Sequence, residues 1–206
     1  ILPKEALGQR YFSMNYPSAS EGANYIAIMV TEPQTKVFIR RNGADLVTNG
    51  VTLNPGDVYQ YLSLQDLTGT EVVIDSLGAS CKSFAVFTGS SNSVINTPQC
   101  VGNSLDPLYQ QAYPIESWGT TFGFIPLTGG NSSSAGNYVR VVAAEDGTEV
   151  RINRVSVGTI NSGGFYETPE PLTEAGLIST SKPVTVAQYT ITQNCSNLGT
   201  GDPDMV

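Results

Sequence analysis

The chain has 206 residues, a mass of 21.9 kDa, a formal net charge of −8 and a pI near 4.4, with only 14% charged residues. Its ten basic residues are scattered and form no stripe that could follow phosphates, which argues against a nucleic-acid partner; an anionic membrane surface would repel the chain. The absence of histidine removes Ser-His-Asp and Cys-His chemistry and the commonest metal ligand, so no catalytic, cofactor-binding or metal-ligating residue is assigned and no cofactor is expected.

The size suits one large domain or two small ones. Plentiful Gly (21), Pro (12) and short apolar runs between turn signals predict an all-β extracellular module. In chain order, NYIAIMVTEPQTKVFI (24–39) reads as two strands about a bend at Pro33-Gln34. NGADLVTNG (42–50) and NPGD (54–57) mark corners. DLTGT (66–70) is expected to close a turn through Asp66 and Thr68 side chains. Val72–Ile74 and Phe84–Phe87 read as strands buried on both faces. DPLYQQ (106–111) could dock one part of the chain on another, form a plain loop or offer a partner surface.

The second part of the chain rewrites the first. NYVRVVAAEDGTEVRI (137–152) lies over residues 24–39 without a gap, and six of sixteen positions are identical. ALGQRYF (6–12) lies over SWGTTFG (117–123), LNPGDVYQ (53–60) over INSGGFYE (160–167), and CKSFAVF (81–87) over SKPVTVA (181–187). The spacing between copies shrinks along the chain, which points to loop insertions. The fold predicted is two tandem antiparallel β-sandwich-like repeats. Repeat one covers 1–92, a linker 93–112, repeat two 113–195, and 196–206 begins a following segment of a longer polypeptide. Alternation in repeat two puts Val139, Val141 and Ala143 on one face, with Tyr138, Arg140 and Val142 on the other.

Glu145-Asp146-Gly147-Thr148 could be a cation site or a hairpin turn. The first copy has Pro33-Gln34 where the second has Asp146-Gly147, so turn chemistry is the common element and a hairpin is expected. Trp118, the one tryptophan, could pack at a core or interface or serve as a ligand platform. Gly119 after it is expected to admit a close backbone. Substitution there should therefore destabilise more than at Gly136, in the loop 129–136. Ser181 and Lys182 are adjacent on a strand and face opposite ways, so they form no nucleophile–base pair.

Three cysteines stand at 81, 100 and 195, with no C-x-x-C. Cys81 opens an apolar strand, and the polar run SSNSVINTPQ (90–99) is long enough to return the chain, so a Cys81–Cys100 disulfide is expected. Cys195 is left for a partner beyond Val206 or unpaired. Cys100–Cys195 is the competing pair.

CVGNSLDPLYQQAYPIESWGTTFGFIPL (100–127), with LNPGDVYQYLSLQDLTGTEV (53–72) and ISTSKPVTVAQY (178–189), resembles the IgGFc-binding-type domain over nearly the whole chain. The resemblance implies a non-catalytic structural or adhesive module of an exported, extracellular or cell-surface protein. It also suggests a large Bacteroidota surface protein using type IX secretion. The implied partners are a protein or glycan at a cell surface and the rest of a longer polypeptide, with no membrane insertion. A carbohydrate-binding module is the alternative, resting on ten tyrosines and Trp118. Asp75-Ser76-Leu77 is similar to the Bacteroidota O-glycosylation sequon, which would put a sugar on Ser76. Asn131 and Asn194 lie in N-x-Ser sequons, relevant in a secretory eukaryotic host.

Overall fold

The computed structural model describes residues 1–19, 22–75, 81–127, 136–196 and 203–206. It is all-β, as the composition predicts. The strands are β1 (Arg10–Phe12), β2 (Asn24–Val30), β3 (Thr35–Arg41), β4 (Ala44–Asp45), β5 (Val51–Leu53), β6 (Val58–Ser63), β7 (Glu71–Ile74) and β8 (Phe84–Ser93). There follow β9 (Asp106–Gln111), β10 (Gly119–Phe124), β11 (Asn137–Ala143), β12 (Thr148–Ile152), β13 (Val155–Ile160), β14 (Phe165–Glu167) and β15 (Gly176–Thr190). The α-helix among the described residues is a single turn, Gln193–Ser196.

The first half is a sandwich of two antiparallel sheets. One runs β6-β2-β8-β9, the other β1-β7-β3-β4 with β5 also on β3. Alternation along β2 sends Ile26, Ile28 and Val30 inward, where they meet Val37 and Ile39 of β3, Val72 and Ile74 of β7, and Phe84 and Val86 of β8. Burying each of these side chains stabilises by about 1.5–3 kcal/mol. β7 is buried on both faces, as its unbroken Val72-Val73-Ile74 run anticipates.

The second half is one six-stranded sheet, β13-β12-β15-β11-β14, with β10 also on β15. Fifteen residues long, β15 serves two neighbourhoods. Its start pairs with β12 from Ile178 to Thr180 and with β10 from Gly176 to Ser179, and its end pairs with β11 from Val184 to Thr190. In the first half that work falls to two strands: β7 pairs with β1 and β3, and β8 with β2. The registers correspond. Asn24↔Ser90 through Val30↔Phe84 in the first half matches Asn137↔Thr190 through Ala143↔Val184 in the second, offsets of 137−24 = 113 and 190−90 = 100. β11 is buried along its whole length. Val139, Val141 and Ala143 enter the second half's own core, while Tyr138 and Val142 enter a cluster shared with the first half.

Three expectations about strand and cysteine pairing need revision. The Glu145–Thr148 turn is not a hairpin, because β11 and β12 are not paired with each other; both pair with β15. The matching bend at Pro33-Gln34 leads from one sheet to the other, so both are corners between strands that do not pair with each other. Within 93–112, residues Asp106–Gln111 are a strand of the first half's sheet, paired to β8 from Phe87↔Gln111 to Ser90↔Leu108.

The third revision concerns the disulfide. Cys100 is bonded to Cys195 with Cα atoms 5.6 Å apart, and Cys81 is free and exposed. The expected return of the chain does occur, but in β9, after Cys100 rather than before it. β8 continues to Ser93, about 30 Å of strand, and Thr97 and Cys100 then turn back on each other at its far end. There the end of β15 delivers the turn that holds Cys195.

Candidate binding surface

The Glu145–Thr148 corner is built like its counterpart. Thr148 Oγ1 donates to Glu145 O at 2.8 Å, and Thr35 Oγ1 to Glu32 O at 2.7 Å. Gly147 at φ 67° and Gln34 at φ 51° both take the left-handed conformation, which Gly adopts without strain. Lys182 Nζ donates to Asp146 O at 2.5 Å, and Lys82 Nζ to Pro33 O at 2.9 Å and Gln34 O at 2.7 Å. Asp146 Oδ1 accepts from the Ser162 amide at 3.0 Å. The acids at this corner therefore serve the turn and face a lysine ammonium. Among the described residues, no group of three or more Cys, Asp or Glu is placed to hold a metal ion.

The densest polar cluster joins the halves. Arg140 of β11 is 4% exposed. Its Nη1 donates to Asp66 Oδ2 at 2.7 Å, Asn15 O at 2.8 Å and Thr68 Oγ1 at 2.8 Å, all in the first half. Its Nε donates to Glu167 of β14. The guanidinium lies over the rings of Tyr16 and Phe165, at 4.6 and 4.7 Å from their centroids. Burial pulls its pKa down, but Asp66, Tyr189 and Glu167 outweigh burial and raise it above its ordinary value. Asp66 also closes the expected turn: Thr68 N donates to its Oδ1 at 2.9 Å and Thr68 Oγ1 at 2.7 Å. Arg140 was the residue missed. The signal was a single charge inside an apolar strand, NYVRVVA, which needs a partner wherever both faces are covered.

Apolar packing surrounds this cluster. Phe12, Met14, Ile95 and Leu108 from the first half meet Tyr138, Val142, Ala187, Tyr189 and Met205 from the second. Trp118 is half-buried at the edge, its ring 5.8 Å from Phe12 and its Nε1 donating to Tyr113 O at 3.1 Å. Gly69 of DLTGT sits against Gly163 so closely that a Cβ on Gly69 would overlap the Gly163 carbonyl. Gly119, expected to admit a close backbone, does not: a Cβ there would lie 3.6 Å from Phe122 Cζ, an ordinary contact. At Gly136 a Cβ would lie 2.5 Å from Leu172 O. The expected order of the two is reversed, because the tight approach is made by the strand-like pairing of Asn137 with Leu172.

The outer face of the β6-β2-β8-β9 sheet is open and apolar. Met29 faces Val58, Tyr25 faces Leu62, and Gly89 faces Tyr109 across the strands. Val58, Leu62, Tyr109 and Met29 are 65%, 59%, 61% and 42% exposed. The Phe87 and Tyr109 rings stack at 5.5 Å, and Tyr109 lies 6.2 Å from Tyr25. The remaining positions of these rows, Ala27, Gln60, Ala85 and Gln111, carry no charge, and of these Ala85 is buried. On β11 and β15 the matching face is the one buried against the first half, through Tyr138, Val142, Ala187 and Tyr189.

Ser76 and Asn131, the glycosylation candidates, lie outside the described residues, as does the Asn194 side chain. Among the described residues no helix is long and apolar enough to cross a membrane. No curated protein and no solved structure matches the chain. The family model described as IgGFc binding protein matches residues 1–206, all of the chain, and the chain belongs to that family.

Proposed function

We propose that this domain is a non-catalytic protein-binding module that engages its partner through the outer face of the β6-β2-β8-β9 sheet. The observation that carries the reading is an exposed, uncharged, aromatic-bearing sheet face on a chain of net charge −8. Large exposed apolar patches of this kind mark interaction sites, and Tyr and Met are enriched in interface cores. The family name gives the first partner to try, an immunoglobulin Fc.

The Cys100–Cys195 disulfide fits an oxidising, extracellular setting. Display on a cell surface, export by a type IX route and a Bacteroidota source are parts of this proposal, as is the division into copies at 1–92 and 113–195. The corresponding strand registers support that division.

Surface-immobilised Fc offered to the domain and to Leu62→Lys and Tyr109→Lys variants tests the reading. Binding that both substitutions weaken at least about tenfold, as loss of a hot-spot residue does, supports the face. Binding that survives both substitutions sinks it, and no binding retires Fc as the partner. The carbohydrate alternative is checked on a glycan array, where loss on Trp118→Ala is the diagnostic result.

A further inference from the structure

The contact between the halves joins two unlike surfaces. The second half contributes a sheet face, with Tyr138, Arg140 and Val142 of β11 and, opposite them on β14, Phe165 and Glu167. The first half contributes an edge, made by residues 12–16 and the DLTGT turn. Each half also carries the other kind of surface. On the first half, Tyr25, Ala27 and Met29 stand in register where Tyr138, Arg140 and Val142 stand on the second. Val58 and Gln60 of β6 stand where Phe165 and Glu167 stand. This face is the open outer face of the β6-β2-β8-β9 sheet.

The matching edge on the second half is residues 123–127. Phe12↔Glu71 in the first half corresponds to Gly123↔Leu177. Met14 O accepts from Thr88 Oγ1 at 2.8 Å, and Ile125 O from Gln188 Nε2 at 2.8 Å. Thr88 and Gln188 are themselves equivalent, paired with Ile26 and Val139. Met14 is buried in the junction, whereas Ile125, Leu127 and Leu177 are exposed.

The ion pair at the centre of the buried contact is missing from both open surfaces together. Ala27 and Gln60 replace Arg140 and Glu167 on the face. On the edge, the run 64–70 that holds Asp66 lies between Asn24↔Ser63 and Phe12↔Glu71. A shorter run, 173–176, lies between Asn137↔Leu172 and Gly123↔Leu177. An alanine facing a retained aspartate would bury a carboxylate without a partner; loss of both members avoids that cost. Glu174 in the shorter run, and Asp204 at the place of Leu108, leave acid at this edge.

We propose that the outer face takes a second copy of this chain as a partner. The partner's edge, with Ile125, Leu127 and Leu177, docks on Tyr25, Met29, Val58 and Leu62 as residues 12–16 dock on β11 and β14. The proposal rests on the reading of this face as an interface and names a partner for it. Because the two surfaces differ, the contact is heterologous and adds copies head to tail. Each copy carries a net charge of −8, which opposes the approach, so salt should tighten the association.

Sedimentation of the full chain against concentration, at ionic strengths of about 0.01 M and about 0.15 M, tests this. The expected result is monomer, dimer and longer species that grow with concentration and with salt. Leu62→Lys on the face and Ile125→Lys on the edge should each weaken association at least about tenfold. Mixed in equal amounts, the two variants should regain one contact, between the intact face of the Ile125→Lys chain and the intact edge of the Leu62→Lys chain. They should then stop at a 1:1 pair, a recovery that also shows both variants to be folded. A chain still monomeric at about 1 mM, where millimolar affinity is visible, overturns the proposal. Association that Leu62→Lys abolishes and Ile125→Lys leaves intact means that face meets face, and overturns the assignment to the edge. Fc binding separates this result from the reading beneath it. No self-association with Fc binding lost on Leu62→Lys removes the second copy and keeps the face. Self-association with the expected variant pattern and no Fc binding keeps both the face and the copy, and retires Fc.

Discussion

Arg140 Nη1 lies 2.7 Å from Asp66 Oδ2 across the contact between the two halves, with the arginine almost wholly out of solvent. The pair explains why DLTGT carries an aspartate. Asp66 shapes its own turn with one oxygen and holds the other half with its second. Removing Arg140 strands Asp66 and Glu167 beside an apolar cluster. Arg140→Ala should cost about 3–5 kcal/mol, the usual loss on breaking a buried pair. Arg140→Lys should recover little, since one ammonium cannot reproduce the planar fork that reaches Asn15, Asp66 and Glu167. Denaturant unfolding measures both; a loss below about 1 kcal/mol, the level of a surface pair, would remove the junction's importance.

Gly136 and Gly119 make a matched pair for testing close approach. Around Gly136 the obstacle is backbone, and that backbone is pinned: the Asn137 amide donates to Leu172 O at 3.0 Å and the Leu172 amide to Asn137 O at 2.8 Å. Gly136→Ala should therefore destabilise by about 1–3 kcal/mol, as overpacking does. Gly119→Ala meets only a ring edge and should be close to neutral. Equal melting temperatures for the two variants would show that the Leu172 segment yields.

The Cys100–Cys195 bond spans 95 residues. In the chain-entropy account, closing a loop of that size stabilises by about 4–5 kcal/mol. Reduction, or Cys100→Ser with Cys195→Ser, should lower stability by an amount of that order. Non-reducing peptide mapping should give one cross-linked peptide pair containing Cys100 and Cys195. Cys81 should react with a maleimide in the native protein. A cross-linked peptide containing Cys81 would reverse the pairing.

The class of fold was legible because alternation and turn residues are local properties. Ile26, Ile28 and Val30 declare an inward face without reference to any other strand. Partner choice was not legible in the same way. The Glu145–Thr148 corner looks like a hairpin because its turn residues are hairpin residues, and only the length of β15 decides that it is a corner. The cysteines failed for a related reason. Chain length shows that Cys81 and Cys100 could meet, but the direction of the chain after β8 is set by β9, which follows Cys100. Arg140 was visible only as an anomaly. Its three first-half partners lie more than 70 residues away in sequence, beyond the reach of any periodicity.

Buried tyrosines should make the fold sensitive to alkali. Burial, the leading cause in each case, pushes Tyr11 and Tyr25 up to about 12 and raises Tyr16 and Tyr189 as well, against an ordinary value of 10.0. Tyr189 is fully buried, and its hydroxyl donates to Asn15 O at 2.9 Å. A folded-state pKa above the unfolded one means that the fold holds its proton longer. The stabilisation is fully present below about pH 10 and is lost as pH rises toward about 12, at about 1.4 kcal/mol per pH unit for each such group. Denaturant midpoints should therefore be flat between about pH 8 and 9.5 and fall steeply above about pH 10. Tyr189→Phe should lose about 1 kcal/mol at neutral pH through its missing hydrogen bond, yet decline less above pH 10 because one titrating phenol is gone. Running both proteins in a Cys81→Ser background removes the free thiol that could attack the Cys100–Cys195 bond at high pH. Parallel alkaline slopes for the two proteins would show that Tyr189 does not titrate with unfolding.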